Sequence, residues 1–238
     1  MSRLIRPSPR TLTKTIAACV ENAERLLADA DMFEFEMLKS TRLYLILIAQ
    51  EELAKAFMLI LVSIGIFPLS RPILRAMNDH SCKQLVGMLM RYMIGRDWID
   101  LEDLRRMLEE DFDMGGDHFP IDIASALELL RYEKVARWET GMGGYADGDL
   151  NYSRAARKVA SGKHDRRKQD ALYVRVNPDG SIGSTPHKVT DAEVKDEAER
   201  ASRYCYFVKE SMAGKASGLR YEKTVAALRM LFAHRPPI

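Results

Sequence analysis

Arg75 and His80 stand in the spacing R-x-x-x-x-H, with Asn78 and Asp79 between them and Lys83 one turn beyond. Those residue types suit one reaction. Cleaving RNA without a metal takes a base to remove the ribose 2′-hydroxyl proton and a cation to hold the phosphorane charge, tasks for which histidine and arginine are fitted. The spacing itself is common, because Arg157 with His164 and Arg229 with His234 satisfy R-x(4 to 6)-H as well. Position therefore decides. His164 lies in a basic stretch and reads as a solvated surface residue, His234 stands beside Arg235 and Pro236, and His118 and His187 each adjoin a turn residue without a partner of their own.

The element that must carry such a site is the apolar run Leu43 to Ile66, LYLILIAQEELAKAFMLILVSIGI, which holds Gln50, Glu51, Glu52 and Lys55 at its centre. Charge in hydrocarbon is unfavourable. On a helix of about 3.6 residues per turn, Lys55 is four residues from Glu51 and three from Glu52, within reach of both. One charge of the three stays unmatched unless a basic group arrives from elsewhere. The patch is either an exposed salt-bridged strip or a polar site fed by a neighbouring segment. Its charges break the run into pieces shorter than the roughly 18 to 20 apolar residues of a membrane span. A di-iron bundle would need Glu-x-x-His on facing helices, whereas Ala54 and Lys55 occupy those third positions. No metal site and no cofactor are expected.

With 238 residues, 47% hydrophobic and 29% charged, the chain is sized for one domain. The net charge of +2 conceals a local imbalance: Arg154 to Lys168 carries seven basic residues against one acid, while Asp97 to Asp113 is acidic. Arg154, Arg157, Lys158, Arg166, Arg167 and Lys168 are the candidate phosphate contacts, with a solvated loop as the plainer alternative. Cys19, Cys82 and Cys205 show no C-x-x-C spacing, which points to reduced thiols. MSRLIRPSPR has no apolar signal region, so a cytoplasmic protein is expected.

Along the chain, Ser8-Pro9 predicts a helix start, with a first helix to about Asp29 and a long second from about Phe33 to Ser63, ended by Gly65 and Pro68. The proline-bearing segment after it reads as a connection into a third helix near Asn78 or Asp79. Further helices are expected over Asp97 to Glu110 and Ile121 to Glu139. GMGGYADGD reads as a linker, since it lacks the phosphate-binding G-x-x-x-x-G-K-[ST] spacing. Ala171 to Val176, the turn Asn177-Pro178-Asp179-Gly180 and Ser181 to Thr185 predict a small peripheral β-hairpin. Thr190 to Glu193 has the T-x-x-E capping-box pattern, and a last helix is expected from about Leu219 to Ala233. The fold class is mainly α in one domain over residues 1–238, with a flexible basic loop and hairpin inserted at about 141–189.

ENAERLLADADMFEFEMLKSTRLYLILIAQEELAKAFML resembles the opening helices of the abortive-infection AbiV group within the HEPN superfamily. The group's E-E-x-[GA]-K is matched by Glu51, Glu52, Leu53, Ala54 and Lys55, and its H-x-x-K by His80, Ser81, Cys82 and Lys83. DALYVRVNPDGSIGSTPHKVTDAE is similar to a later strand, turn and helix start of the same group, so the likeness runs with gaps from Glu21 to Ala201. It implies a HEPN-like helical bundle pairing into a homodimer, with the R-x(4 to 6)-H residues of two subunits facing one cleft. It also implies a metal-independent endoribonuclease acting in antiphage defence. On it His80 is the base or acid, Arg75 the transition-state clamp, Glu51, Glu52 and Lys55 a polar wall, and Asn78 and Lys83 secondary contacts. Glu51 and Glu52 would then be neutralised by Lys55, Arg75 or Lys83 of the partner. RNA, a second copy of the chain and a phage-encoded trigger or regulator are the implied partners, and no membrane. One departure is that Ala76 follows Arg75, where active HEPN nucleases often carry a polar residue. A noncatalytic module binding RNA or protein stays the alternative, and a helical interaction protein whose charged patch fixes dimer register is a third reading.

Overall fold

Ser8 Oγ accepts a hydrogen bond from the Thr11 N–H at 3.1 Å and Pro9 sits in the first turn, so the first helix starts where the sequence predicts. The computed structural model describes residues 7–33, 38–65, 68–94, 121–141, 154–160 and 162–214. In chain order the elements are α1 (Pro9–Met32), α2 (Lys39–Ser63), α3 (Arg71–Asn78), α4 (His80–Ile94), α5 (Ile121–Leu130), a π-helical turn (Arg131–Val135), α6 (Ala136–Thr140), α7 (Arg154–Ala160), α8 (Lys163–Asp170), β1 (Arg175–Val176), β2 (Ile182–Ser184), a 3-10 turn (Pro186–Lys188) and α9 (Asp191–Met212). The fold is mainly α with a two-stranded antiparallel sheet. The expected helices over Asp97 to Glu110 and Leu219 to Ala233, and most of the glycine-rich linker, lie outside the described residues. Among the described residues no helix is long and apolar enough to cross a membrane.

The described residues divide between two compact units, one drawn from 7–64 and 162–214, the other from 65–160. In the first, α2 is apolar almost all round and is buried on most sides by α1 and α9. Ala23 and Ala30 of α1 and Ala49, Ala54 and Ala56 of α2 are fully buried. Phe57 of α2 meets Phe207 of α9 with ring centroids 5.4 Å apart and planes tilted by 53°, a favourable geometry for an aromatic pair. Gly65, at φ 78°, takes the left-handed conformation just beyond α2.

In the second unit, α3 replaces the expected irregular connection. Proline is tolerated in the first turn of a helix, and Pro72 lies there behind Ser70. The basic stretch, expected as a flexible loop, is instead helical in α7 of this unit and α8 of the first. Lys, Arg and Gln are good helix formers, and a run of charge is no barrier where acids face it.

The hairpin is shorter than predicted. Tyr173 N donates to the Gln169 carbonyl at 2.8 Å, so the start of ALYVRV closes α8 and only Arg175–Val176 pair with Ile182–Ser184. Asn177 N to Ser181 O at 2.8 Å closes the turn, with Gly180 at φ 80°. Thr190 and Glu193 form the predicted capping box, Thr190 N donating to Glu193 Oε2 at 3.1 Å and Glu193 N to Thr190 Oγ1 at 3.3 Å. The Thr190 backbone N–H, aided by the Arg167 guanidinium, holds the Glu193 carboxyl below its ordinary range. The folded value is the lower one, so the stability it supplies is present above pH about 4.3 and is lost as the pH falls through the folded value. Thr190→Ala is expected to lower stability by about 1 kcal/mol while leaving most of that acid dependence in place, because alanine keeps the backbone N–H; both are readable from urea midpoints measured across pH.

Candidate functional site

Asp79 makes the corner between α3 and α4 with a single extended residue, φ −91° and ψ 123°. Its Oδ1 accepts the Cys82 N–H at 2.9 Å and its carbonyl accepts the Lys83 N–H at 3.1 Å, which caps the first turn of α4. Ile73, Ala76 and Met77 before the corner, and Cys82, Leu85, Val86 and Leu89 after it, are buried. Arg75, Asn78 and His80 are therefore left exposed on the other side. Asn78 Nδ2 donates to the Leu74 carbonyl at 3.0 Å. Lys83 is only 7% exposed, so it belongs to the packed side of α4.

Two further bonds tie this corner to the π-helical turn and α6. Lys134 Nζ lies 2.6 Å from Asp79 Oδ2, and Arg75 Nη1 donates to the Trp138 carbonyl at 3.4 Å. Cys82 is fully buried, and burial, with the Asp79 charge adding to it, pushes its thiol far above the ordinary range. The thiol stays protonated and is no nucleophile.

The second group of predicted residues belongs to the other unit. Glu51, 7% exposed, receives Lys168 Nζ at 3.0 Å, and Lys168 is itself 6% exposed. Lys55 lies 2.6 Å from Glu52, three residues away on α2, so it serves that carboxylate. The basic group that the α2 patch requires thus comes within the same chain from α8. A second buried carboxylate, Glu197, takes Gln50 Nε2 at 2.9 Å, Arg167 Nη1 at 3.2 Å and Arg200 Nη1 at 2.8 and 2.7 Å. Arg167 also reaches Glu193 at 3.0 Å. The α2, α8 and α9 helices are joined here by charge-assisted hydrogen bonds that neutralise buried acids.

Of the six basic residues, Lys168 is buried and Arg167 half-buried on these acids, while Arg157, Lys158 and Arg166 are exposed. Arg157 and Lys158 lie in one unit and Arg166 in the other; the Arg154 side chain lies outside the description. Sequence reasoning passed over Asp79, Lys134, Glu197 and Arg200. Asp79 has a local signal, an acid directly before a helix. Glu197 and Arg200 are an i, i+3 pair on one helix, whereas Lys134 is joined to Asp79 by folding alone.

A mainly α protein with an arginine and a histidine exposed at a helix corner is the class these observations define. The AbiV family model, HEPN_AbiV, matches residues 11–206, and the chain belongs to that family of HEPN abortive-infection proteins. A search of curated proteins and one of solved structures each found no match.

Proposed function

We propose that the chain is an abortive-infection endoribonuclease that cleaves RNA at the α3–α4 corner. The observation that carries this reading is the exposure of Arg75 and His80 beside a corner whose other face is packed. His80 takes the proton from a ribose 2′-hydroxyl, the 2′-oxygen attacks phosphorus, and Arg75 holds the charge that develops on the phosphoryl oxygens. The P–O5′ bond breaks, and the 5′-oxygen leaves with a proton from an acid that a second copy's His80 would supply. The products are a 2′,3′-cyclic phosphate and a 5′-hydroxyl. Pairing of two copies follows the family's habit and puts two such corners at one cleft. Incubating purified protein with mixed cellular RNA tests the reading, fragments supporting it and intact RNA opposing it.

Two observations favour a second reading, a noncatalytic module that binds RNA. Ala76 follows Arg75, and Arg75 Nη1 is directed at the Trp138 carbonyl. A guanidinium carries five N–H donors, and one such bond does not exhaust it, so the first reading is preferred. Under either reading, exposed Arg157 and Lys158 contact phosphates. Changing both to glutamine is expected to weaken RNA binding and to reduce the slope of log K against log salt by about one to two; an unchanged slope removes them from the interface.

A further inference from the structure

We infer that Lys134 is a positioning residue that sets His80 through Asp79, while the Trp138 carbonyl one turn later sets Arg75. The inference rests on the reading of the α3–α4 corner as the site of RNA cleavage.

The distances form one chain of contacts inside one compact unit. Lys134 Nζ is 2.6 Å from Asp79 Oδ2, the other oxygen of that carboxylate accepts the Cys82 N–H at 2.9 Å, and His80 follows Asp79 inside the turn so closed. A carboxylate held at both oxygens cannot turn, so the first turn of α4 is fixed in direction at the residue that bears the imidazole. Arg75 Nη1 meets Trp138 O at 3.4 Å. Trp138 lies in the last turn of α6, where carbonyls have no helical partner, and a guanidinium is favoured against that negative helix end.

Lys134 and Trp138 are four residues apart, one on the π-helical turn and one just beyond it. A π turn shifts every residue after it relative to those before. Here it follows α5, where Ala126, Leu127 and Leu130 are buried, and itself carries Lys134, with Trp138 one turn further on. Both Lys134 and Asp79 are about one-fifth exposed, shielded but not sealed. A cation that bound phosphate directly would be expected to stand clear of such a partner.

The test uses the full chain and a defined single-stranded RNA. Lys134→Met is expected to lower kcat by about 10²-fold, the effect of an ångström-scale misplacement, with KM unchanged, and Lys134→Arg to restore most of the loss. Asp79→Asn guards against misfolding, because asparagine caps a helix as well as aspartate does; it keeps the Cys82 bond, drops the charge that holds Lys134, and is expected to reproduce the kcat loss. A rise in KM with kcat intact makes Lys134 a phosphate contact and overturns the inference, as does wild-type turnover in both variants. Amide exchange separates the inference from the reading beneath it. Lys134→Met should speed exchange at residues 81–83 whether or not RNA is cleaved. Unchanged exchange overturns the tie; faster exchange in a protein whose wild type leaves RNA intact upholds the tie and overturns the cleavage reading.

Discussion

Replacing His80 by alanine is expected to lower RNA cleavage by about 10²- to 10⁴-fold, the usual contribution of a positioned general base or acid. The fold should be untouched. His80 is the exposed first residue of α4, and alanine is a strong helix former, while the cap is supplied by Asp79 through the Cys82 N–H. The thermal midpoint should therefore stay near that of wild type, and RNA affinity should fall little, because the imidazole acts on a proton and binding depends chiefly on phosphate contacts elsewhere. The comparison needs cleavage rate, affinity and melting on the same preparations. A variant that cleaves normally removes His80 from the reaction, and one that melts early makes it a structural residue.

Lys168→Met is expected to have the largest effect on stability. It leaves the Glu51 carboxylate in the apolar body of α2 without its 3.0 Å partner. Removing one member of a buried pair destabilises by about 3–5 kcal/mol, a large share of the 5–15 kcal/mol of a typical domain. The double variant Glu51→Met with Lys168→Met should recover most of that loss, since two apolar residues of similar length remove both members of the pair. Urea midpoints for wild type, each single variant (Lys168→Met and Glu51→Met) and the double variant give the coupling directly. A single variant within about 0.5 kcal/mol of wild type, the range of ordinary surface changes, would mean that water reaches the pair. Lys168 is thus expected to affect RNA binding mainly through folding, unlike Arg157 and Lys158, which are exposed.

The charged patch of α2 was legible as a problem before its solution was. Four polar residues in an apolar run require a partner, and Lys55 with Glu52 is a local i, i+3 pair that spacing alone identifies. Lys168 is 117 residues from Glu51, and nothing local marks it among its basic neighbours. Those neighbours read as loop because charge was weighed above helix propensity, whereas α8 is fixed by Arg167 and Lys168 reaching acids on α2 and α9. Caps were the most readable features. Ser8 and Thr190 act where expected, because a cap needs only its own next three residues. The helix α3 was obscured by Pro68 and Pro72, which signal a break and a first turn equally well. At the corner, Arg75 and His80 were readable as a pair, but the spacing recurs twice more in the chain. What sets this pair apart, Asp79 held by Lys134 at a separation of 55 residues, is a product of folding.

The ends of the RNA fragments bear most directly on the chemistry assigned to Arg75 and His80. Purified wild-type protein and His80→Ala, each given RNA in buffer containing a chelator, should differ in one respect. Wild type is expected to leave 2′,3′-cyclic phosphate and 5′-hydroxyl ends and His80→Ala none. Fragments bearing 3′-hydroxyl and 5′-phosphate ends, or equal cleavage by the alanine variant, would contradict attack by the neighbouring 2′-oxygen with His80 as its base.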